Sequence, residues 1–201
     1  DWFIDAVEDK NWNSVWEQNY SPVFIGGSCV IRSVFHKKTK TNYEIIIKPK
    51  MSFGTGHHET TQLIIQELIK NPPVKKNVLD IGSGTGILSI LSEKLGAEKV
   101  DSIDNCEFSM SSAKENFKLN KCYKIDFHFG TIDIINSLNY DNILVNINKN
   151  IIIKEAESYL NKLASNGNIY LSGFYSADED AIVKKIESLN IKLKRKKRKN
   201  K

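Results

Sequence analysis

Three glycines at alternate positions, Gly82, Gly84 and Gly86, stand between a short apolar run and a helical pattern, and they constrain the fold of this chain more than any other feature. Val78-Leu79-Asp80-Ile81 reads as a buried strand, and Gly86 to about Leu95 reads as a helix stopped by Gly96. Glycine lets a backbone turn tightly and approach a ligand that a Cβ would exclude. Asp104, twenty-two residues beyond Gly82, closes a second strand, Val100-Asp101-Ser102-Ile103-Asp104. An acid at that place accepts hydrogen bonds from both hydroxyls of a ribose. Loop and acid together place an adenosine-containing ligand across the carboxyl ends of two neighbouring strands, at the switch point of an open sheet.

The rest of the chain repeats the same unit. The second strand spans about 99–103, and further strands are expected at 124–129, 142–145 and 168–172, the last after an Asn166-Gly167 turn. Helices are expected over 109–119, 152–163 and 177–189, with one more strand beginning at Ile191. Such alternation builds βαβ units and a mostly parallel, doubly wound sheet with helices on both faces. The first fifty residues differ. Phe24-Ile25, Cys29–Val34 and Tyr43–Lys48 read as short strands joined by Gly26-Gly27 and a Lys37–Asn42 turn. Residues 1–18, with Trp2, Trp12 and Trp16, read as a helix packed on them. The expected division is a linker helix and small β extension over 1–50, a ligand-binding α/β domain over 51–191, and a basic tail over 192–201.

Composition removes other classes. No apolar run approaches the ~20 residues that span a bilayer, and the first residues lack the basic and apolar regions of a signal peptide. They also lack an initiator Met, so upstream sequence is expected. Eight basic residues crowd into positions 192–201, and without them the net charge of +5 becomes −3. A broad nucleic-acid face is therefore not expected, and any contact with RNA would be peripheral, through that tail. Cys29, Cys106 and Cys122 are far apart and unpaired in pattern, which fits a reducing cytoplasm. Ser83 and Ser172 lack a triad context. The adjacent His57 and His58 have no companion ligands at metal spacing, so no metal is expected. Asn71-Pro72-Pro73 precedes the first strand of the sheet and reads as a loop breaker.

Four segments, in order, carry a resemblance to a known family. Met51-Ser52-Phe53-Gly54-Thr55-Gly56-His57-His58-Glu59-Thr60-Thr61 is similar to the F-G-T-G-x-H-x-T-T segment of the ribosomal protein L11 methyltransferases. The glycine loop follows, then Leu144-Val145-Asn146-Ile147-Asn148, similar to that family's A-N-I segment, and Leu171-Ser172-Gly173-Phe174, similar to its L-S-G-I/F. Trp12–Pro22 also resembles the linker ahead of its catalytic domain. His57 and Glu59 depart from the common Thr and Pro. The resemblance implies a Rossmann-like class I methyltransferase of the α/β class, with a small N-terminal β extension and a shortened C-terminal end. It also leads us to expect that the chain begins near the end of the family's separate N-terminal recognition domain.

What the resemblance implies about chemistry is specific. The cofactor is S-adenosylmethionine and the partner is ribosomal protein L11, free or on the ribosome, with amino groups as methyl acceptors. Cofactor contacts fall at Thr61, Asp80, Gly82, Gly84, Asp104 and Asn146. Asp80 orients the methionine amine end, directly or through water. Asn146 lies beside the sulfonium, where its side-chain oxygen orients the incoming amine, and Phe53 either walls the acceptor side or fills the core. The G-x-G-x-G order, with Ile87 where the dinucleotide pattern G-x-G-x-x-G has its third glycine, disfavours NAD. Two other readings stay open: a methyltransferase acting on another protein or a small molecule, and a cofactor-binding remnant without transfer activity.

Overall fold

A computed structural model of the protein describes residues 21–48, 54–136, 139–192 and 194. It opens with β1 (Val23–Ile25) and β2 (Cys29–Arg32), an antiparallel hairpin turned at Gly26-Gly27. β3 (Tyr43–Ile46) then pairs with β2 in parallel. The Lys37–Asn42 segment is thus part of a crossover and not a hairpin turn. The two strands run the same way, so the connection must travel back along their full length.

Next comes α1 (Glu59–Lys70), followed by strictly alternating elements: β4 (Asn77–Ile81), α2 (Ile87–Lys94), β5 (Lys99–Asp104), α3 (Glu107–Leu119) and β6 (Ile125–Phe129). After a 3-10 turn at Ile132–Ile134 come β7 (Tyr140–Asn146), α4 (Lys149–Lys162), β8 (Leu163–Ser172), a second 3-10 turn at Ser176–Asp178, and α5 (Glu179–Glu187). The five strands β4 to β8 form one sheet in the order β6-β5-β4-β7-β8, and every pair is parallel. The order reverses beside β4, which opens the crevice at the ends of β4, β5 and β7.

Successive residues of β4 serve opposite faces, as the period of two requires. Val78 joins the core with α1, α2, α3 and the small sheet, whereas Leu79 joins the core under α4 and α5. α1 contributes Ile64, Ile65 and Leu68, each fully or nearly fully buried, and burial of such side chains stabilises by ~1.5–3 kcal/mol apiece. β3 is fastened to α3 by two amides. Asn120 accepts from the Ile46 N–H at 2.9 Å and donates to the Ile46 carbonyl at 2.6 Å, while Asn116 accepts from the Lys48 N–H at 2.9 Å.

Two expectations about the last third need correction. Asn166-Gly167 is not a turn ahead of a strand but lies inside β8. Tyr140 pairs with Leu163 and Asn142 with Asn168, so β8 carries a bulge that absorbs the left-handed Asn166. No strand begins at Ile191 among the described residues. Ile191 instead packs, partly buried, against the core that includes Ile182 and Ile186 of α5. The helix expected over 1–18, most of the basic tail and Phe53 lie outside the described residues. No described helix is long and apolar enough to cross a membrane.

Candidate functional site

The glycine loop leaves β4 and hooks over the end of β5. The N–H groups of Gly82 and Ser83 both donate to the Ile103 carbonyl, at 2.9 and 3.0 Å, and the Gly86 N–H closes a turn onto Ser83 at 2.8 Å. Gly82 and Gly86 both have left-handed backbones, with φ of 66° and 77°. A Cβ on Gly82 would overlap Ile147, and one on Gly86 would overlap the ring of Phe117. The glycines therefore let the loop pack between the segment after β7 and the core-facing side of α3, with Gly82 and Gly84 also lining the crevice.

Asp104, at the end of β5, receives the Gly84 N–H on Oδ2 and the Cys106 N–H on Oδ1, both at 2.9 Å. Two backbone donors hold the carboxylate, and each oxygen keeps capacity for a further donor. Asp80 points to the other side of the sheet. It is 1% exposed and accepts from the backbone N–H and hydroxyl of Ser89 in α2, at 3.0 and 2.6 Å. Burial pushes its carboxyl up to about 7; the Ser89 bonds oppose that rise, and the Asp104 charge adds to it. Asp80 thus braces the loop from beneath and is not part of the crevice wall.

Asn146 ends β7, opposite Ser172 of β8. Its Nδ2 donates to the hydroxyl of Thr61 at 3.0 Å, and its Oδ1 is buried without a partner. Thr61, the third residue of α1, is fully buried. Ser172 adds a second tie, donating to the Thr60 carbonyl at 3.3 Å. His58 caps α1, with Nδ1 against the Thr60 N–H and hydroxyl. The hydroxyl of Thr85 donates to the Gly54 carbonyl at 2.5 Å, which joins the segment ahead of α1 to the glycine loop.

A cavity of about 450 Å³ opens where these parts meet, within the range of small-molecule sites. Of the residues singled out in the sequence, Gly82, Gly84, Asp104 and Asn146 line it. Thr61 touches it only through Asn146, and Asp80 lies behind it. Sequence reasoning passed over Thr131, Ile151 and Glu155, which line the wall formed by α4 and the turn after β6. The spacing of four from Ile147 to Ile151 to Glu155 was the available signal, since it sets one helix face against the end of β7. Glu155 also receives the Tyr159 hydroxyl at 3.2 Å. His57 meets Thr55 and the Ser21 carbonyl, and among the described residues no three His, Cys, Asp or Glu side chains are grouped to hold a metal ion.

Orphaned buried acceptors are rare in folded proteins, and leaving one unpaired costs ~1–3 kcal/mol. Among the described residues Asn146 Oδ1 is such an atom, itself covered, in a residue that lines the same cavity as the backbone-held carboxylate of Asp104. The arrangement suits a ligand with a hydroxyl pair at Asp104.

The family model described as ribosomal protein L11 methyltransferase (PrmA) matches residues 1–201. A ribosomal protein L11 methyltransferase of Phocaeicola vulgatus is 42% identical over 200 residues, covering 98% of this chain and 71% of that protein. One from Bacteroides fragilis is 40% identical over 188 residues, covering 92% and 67%. Among solved structures, a ribosomal protein L11 methylase from Lactobacillus delbrueckii subsp. bulgaricus superposes with a TM-score of 0.82 at 26% identity, covering 90% of this chain and 94% of that one.

Proposed function

The chain belongs to the ribosomal protein L11 methyltransferase family, and from that premise we propose that it transfers methyl groups from S-adenosylmethionine to amino groups of ribosomal protein L11, on lysine side chains, the N-terminal amine, or both. The observation that carries the reading is the Asp104 carboxylate at the cavity, held by the Gly84 and Cys106 N–H groups with capacity left for further donors. When bound, the cofactor supplies an activated methyl group on its sulfonium.

This chain's residues contribute orientation and a dry surround. Asp104 takes the ribose hydroxyls, Gly82 and Gly84 admit the ligand close to the backbone, and Thr61 and Asp80 serve the methionine end from behind the wall, Thr61 through its bond to Asn146 and Asp80 by bracing the glycine loop through Ser89. Asn146 Oδ1 accepts an N–H of the incoming amine and leaves the nitrogen lone pair directed at the methyl carbon. Phe53 is assigned to the acceptor side on its sequence position alone. A lysine must first lose its proton, with an unperturbed pKa of ~10.4, and an apolar surround favours the neutral amine. Holding donor and acceptor in line is worth up to ~7–11 kcal/mol in well-oriented systems, so orientation is the main service required. Residues 51–191 act as the cofactor domain in this reading, with the small sheet linking it to substrate recognition.

The deciding experiment is calorimetric titration with S-adenosylmethionine and separately with NAD, followed by methyl transfer to purified L11. Tight binding of the former alone, with labelled L11, is the expected result. Binding without transfer to L11 would move the substrate elsewhere, and no binding would end the proposal.

A further inference from the structure

In the reading above, the ribose at Asp104 divides the cavity into two ends. On one side of β5 lie β4 and β7, with Gly82 and Asn146, and the methionine arm of the cofactor runs that way. On the other side lies β6, and the turn after it closes the far end with Gly130, Thr131 and Ile132. α4 reaches across to this turn. Ile132 shares a core with Ala156 and Tyr159, and Lys162 donates to the Ile135 carbonyl. The purine base therefore falls between the β6 turn and the face of α4 that carries Ile151 and Glu155.

Most of that end is apolar. Ile103 and Ile132, both buried, and Ile151 present hydrocarbon to the ligand, a surround that suits a flat ring and selects no particular purine. Glu155 is the exception. Its Oε2 accepts the Tyr159 hydroxyl at 3.2 Å, and Tyr159, one turn along α4, is fully buried. Burial, with the Glu155 charge adding to it, pushes the phenol well above its usual range, so Tyr159 stays a donor and fixes the carboxylate from the core side. Among the described residues Oε1 is neither covered nor paired, and none of those lining the cavity is a lysine or arginine that could neutralise it.

An ionised carboxylate can only accept hydrogen bonds. Adenine carries an amino group at the ring position where guanine and hypoxanthine carry a carbonyl, so one base donates there and the others accept. We propose that Glu155 is a specificity-determining residue that reads the base of the cofactor, its Oε1 accepting the exocyclic amino group of adenine and turning away a purine with a carbonyl in that position. The inference rests on the S-adenosylmethionine reading above and adds to it an acid on a helix, away from the glycine loop and the strand ends.

The test compares two ligands on the whole chain by calorimetry, S-adenosylhomocysteine and S-inosylhomocysteine, in which a carbonyl replaces that amino group. The wild type should prefer the first by on the order of a hundredfold, the scale of a hydrogen bond to a charged group. Glu155→Gln keeps the shape, but its amide can turn either end to the base. In E155Q the preference should therefore shrink by about tenfold or more. D104N should weaken both ligands alike and leave the preference intact, which separates the base contact from the ribose contact. A wild type that binds both ligands equally, or an E155Q variant that keeps the full preference, would overturn the assignment. A wild type that binds neither would remove the cofactor reading and this contact with it, an outcome distinct from binding both alike.

Discussion

The hydroxyl of Thr85 donates to the carbonyl of Gly54, thirty-one residues earlier, and the Thr85 carbonyl in turn accepts from the amide of Asn116. A single glycine-loop residue therefore joins the segment ahead of α1, the loop itself and α3. Thr85→Val should strand the Gly54 carbonyl and cost ~1–3 kcal/mol, the range for losing one partner of a buried bond. Urea unfolding should read that loss, T85S should recover most of it, and cofactor affinity should fall with T85V because the loop lines the cavity.

Gly86→Ala asks for two things that the backbone cannot give. A φ of 77° costs an L-residue roughly 1–2 kcal/mol, and the added carbon runs into Phe117. Overpacking of that kind costs a further ~1–3 kcal/mol. A thermal melt of G86A as stable as the wild type would contradict the packing described here.

Asp104→Asn keeps the shape of the side chain and removes the charge that faces the cavity. Hydrogen bonds to charged groups are worth ~1.5–3 kcal/mol, so affinity for S-adenosylmethionine should fall on the order of ten- to a hundredfold by calorimetry. An unchanged affinity would refute the ribose assignment.

Asp80 should leave a mark on the pH dependence of stability. Its carboxyl titrates at about 7 in the folded protein because it is buried, against ~3.9 for a free aspartate. Between those values the folded state holds a proton that the unfolded state has released, so this group's contribution declines as pH rises from ~4 to 7 and is flat beyond. D80N should remove that decline from a series of chemical denaturation curves. If the slope over this window is the same in both proteins, the buried carboxyl is ionised throughout.

Asp101 should act in the opposite sense. Burial raises its carboxyl, but bonds from His128, Tyr140 and Lys99 outweigh it and hold the group below the usual range. A depressed folded value means stability that is complete above ~4 and lost as the pH falls further. Melts between pH 2 and 5 should show a shallower acid loss in D101N, even though that variant starts less stable.

Sequence reasoning reached the parts of this fold whose signals are local. The run Val78–Ile81, the glycines after it and Asp104 at the end of β5 define a strand, a turn and a helix start without reference to anything distant. Parallel pairing of β2 with β3 was not legible, because a ten-residue, mostly polar connection reads alike whether it turns back or crosses over. The β8 bulge was hidden for a related reason. Asn166-Gly167 carries turn chemistry, and only the partner strand shows that the ladder resumes beyond it. In the site, Asp104 was found as the end of a strand, and Asn146 through the resemblance of Leu144-Val145-Asn146-Ile147-Asn148 to the family's A-N-I segment. Glu155 and Thr131 were not: the approach of Glu155 depends on how α4 packs, and Thr131, although it follows Gly130 at the end of β6, carries no motif that marks it.

The two amides that α3 lays along β3 bear on how the protein behaves in company. β3 is an outer strand of its sheet, and such a strand normally offers a row of open donors and acceptors to any extended chain it meets. Asn116 and Asn120 take up the N–H groups of Ile46 and Lys48 and the Ile46 carbonyl, so the helix ends the sheet where another molecule would otherwise extend it. Replacing both asparagines with leucine should leave a self-adhesive border, visible as concentration-dependent association under conditions where the wild type stays dispersed.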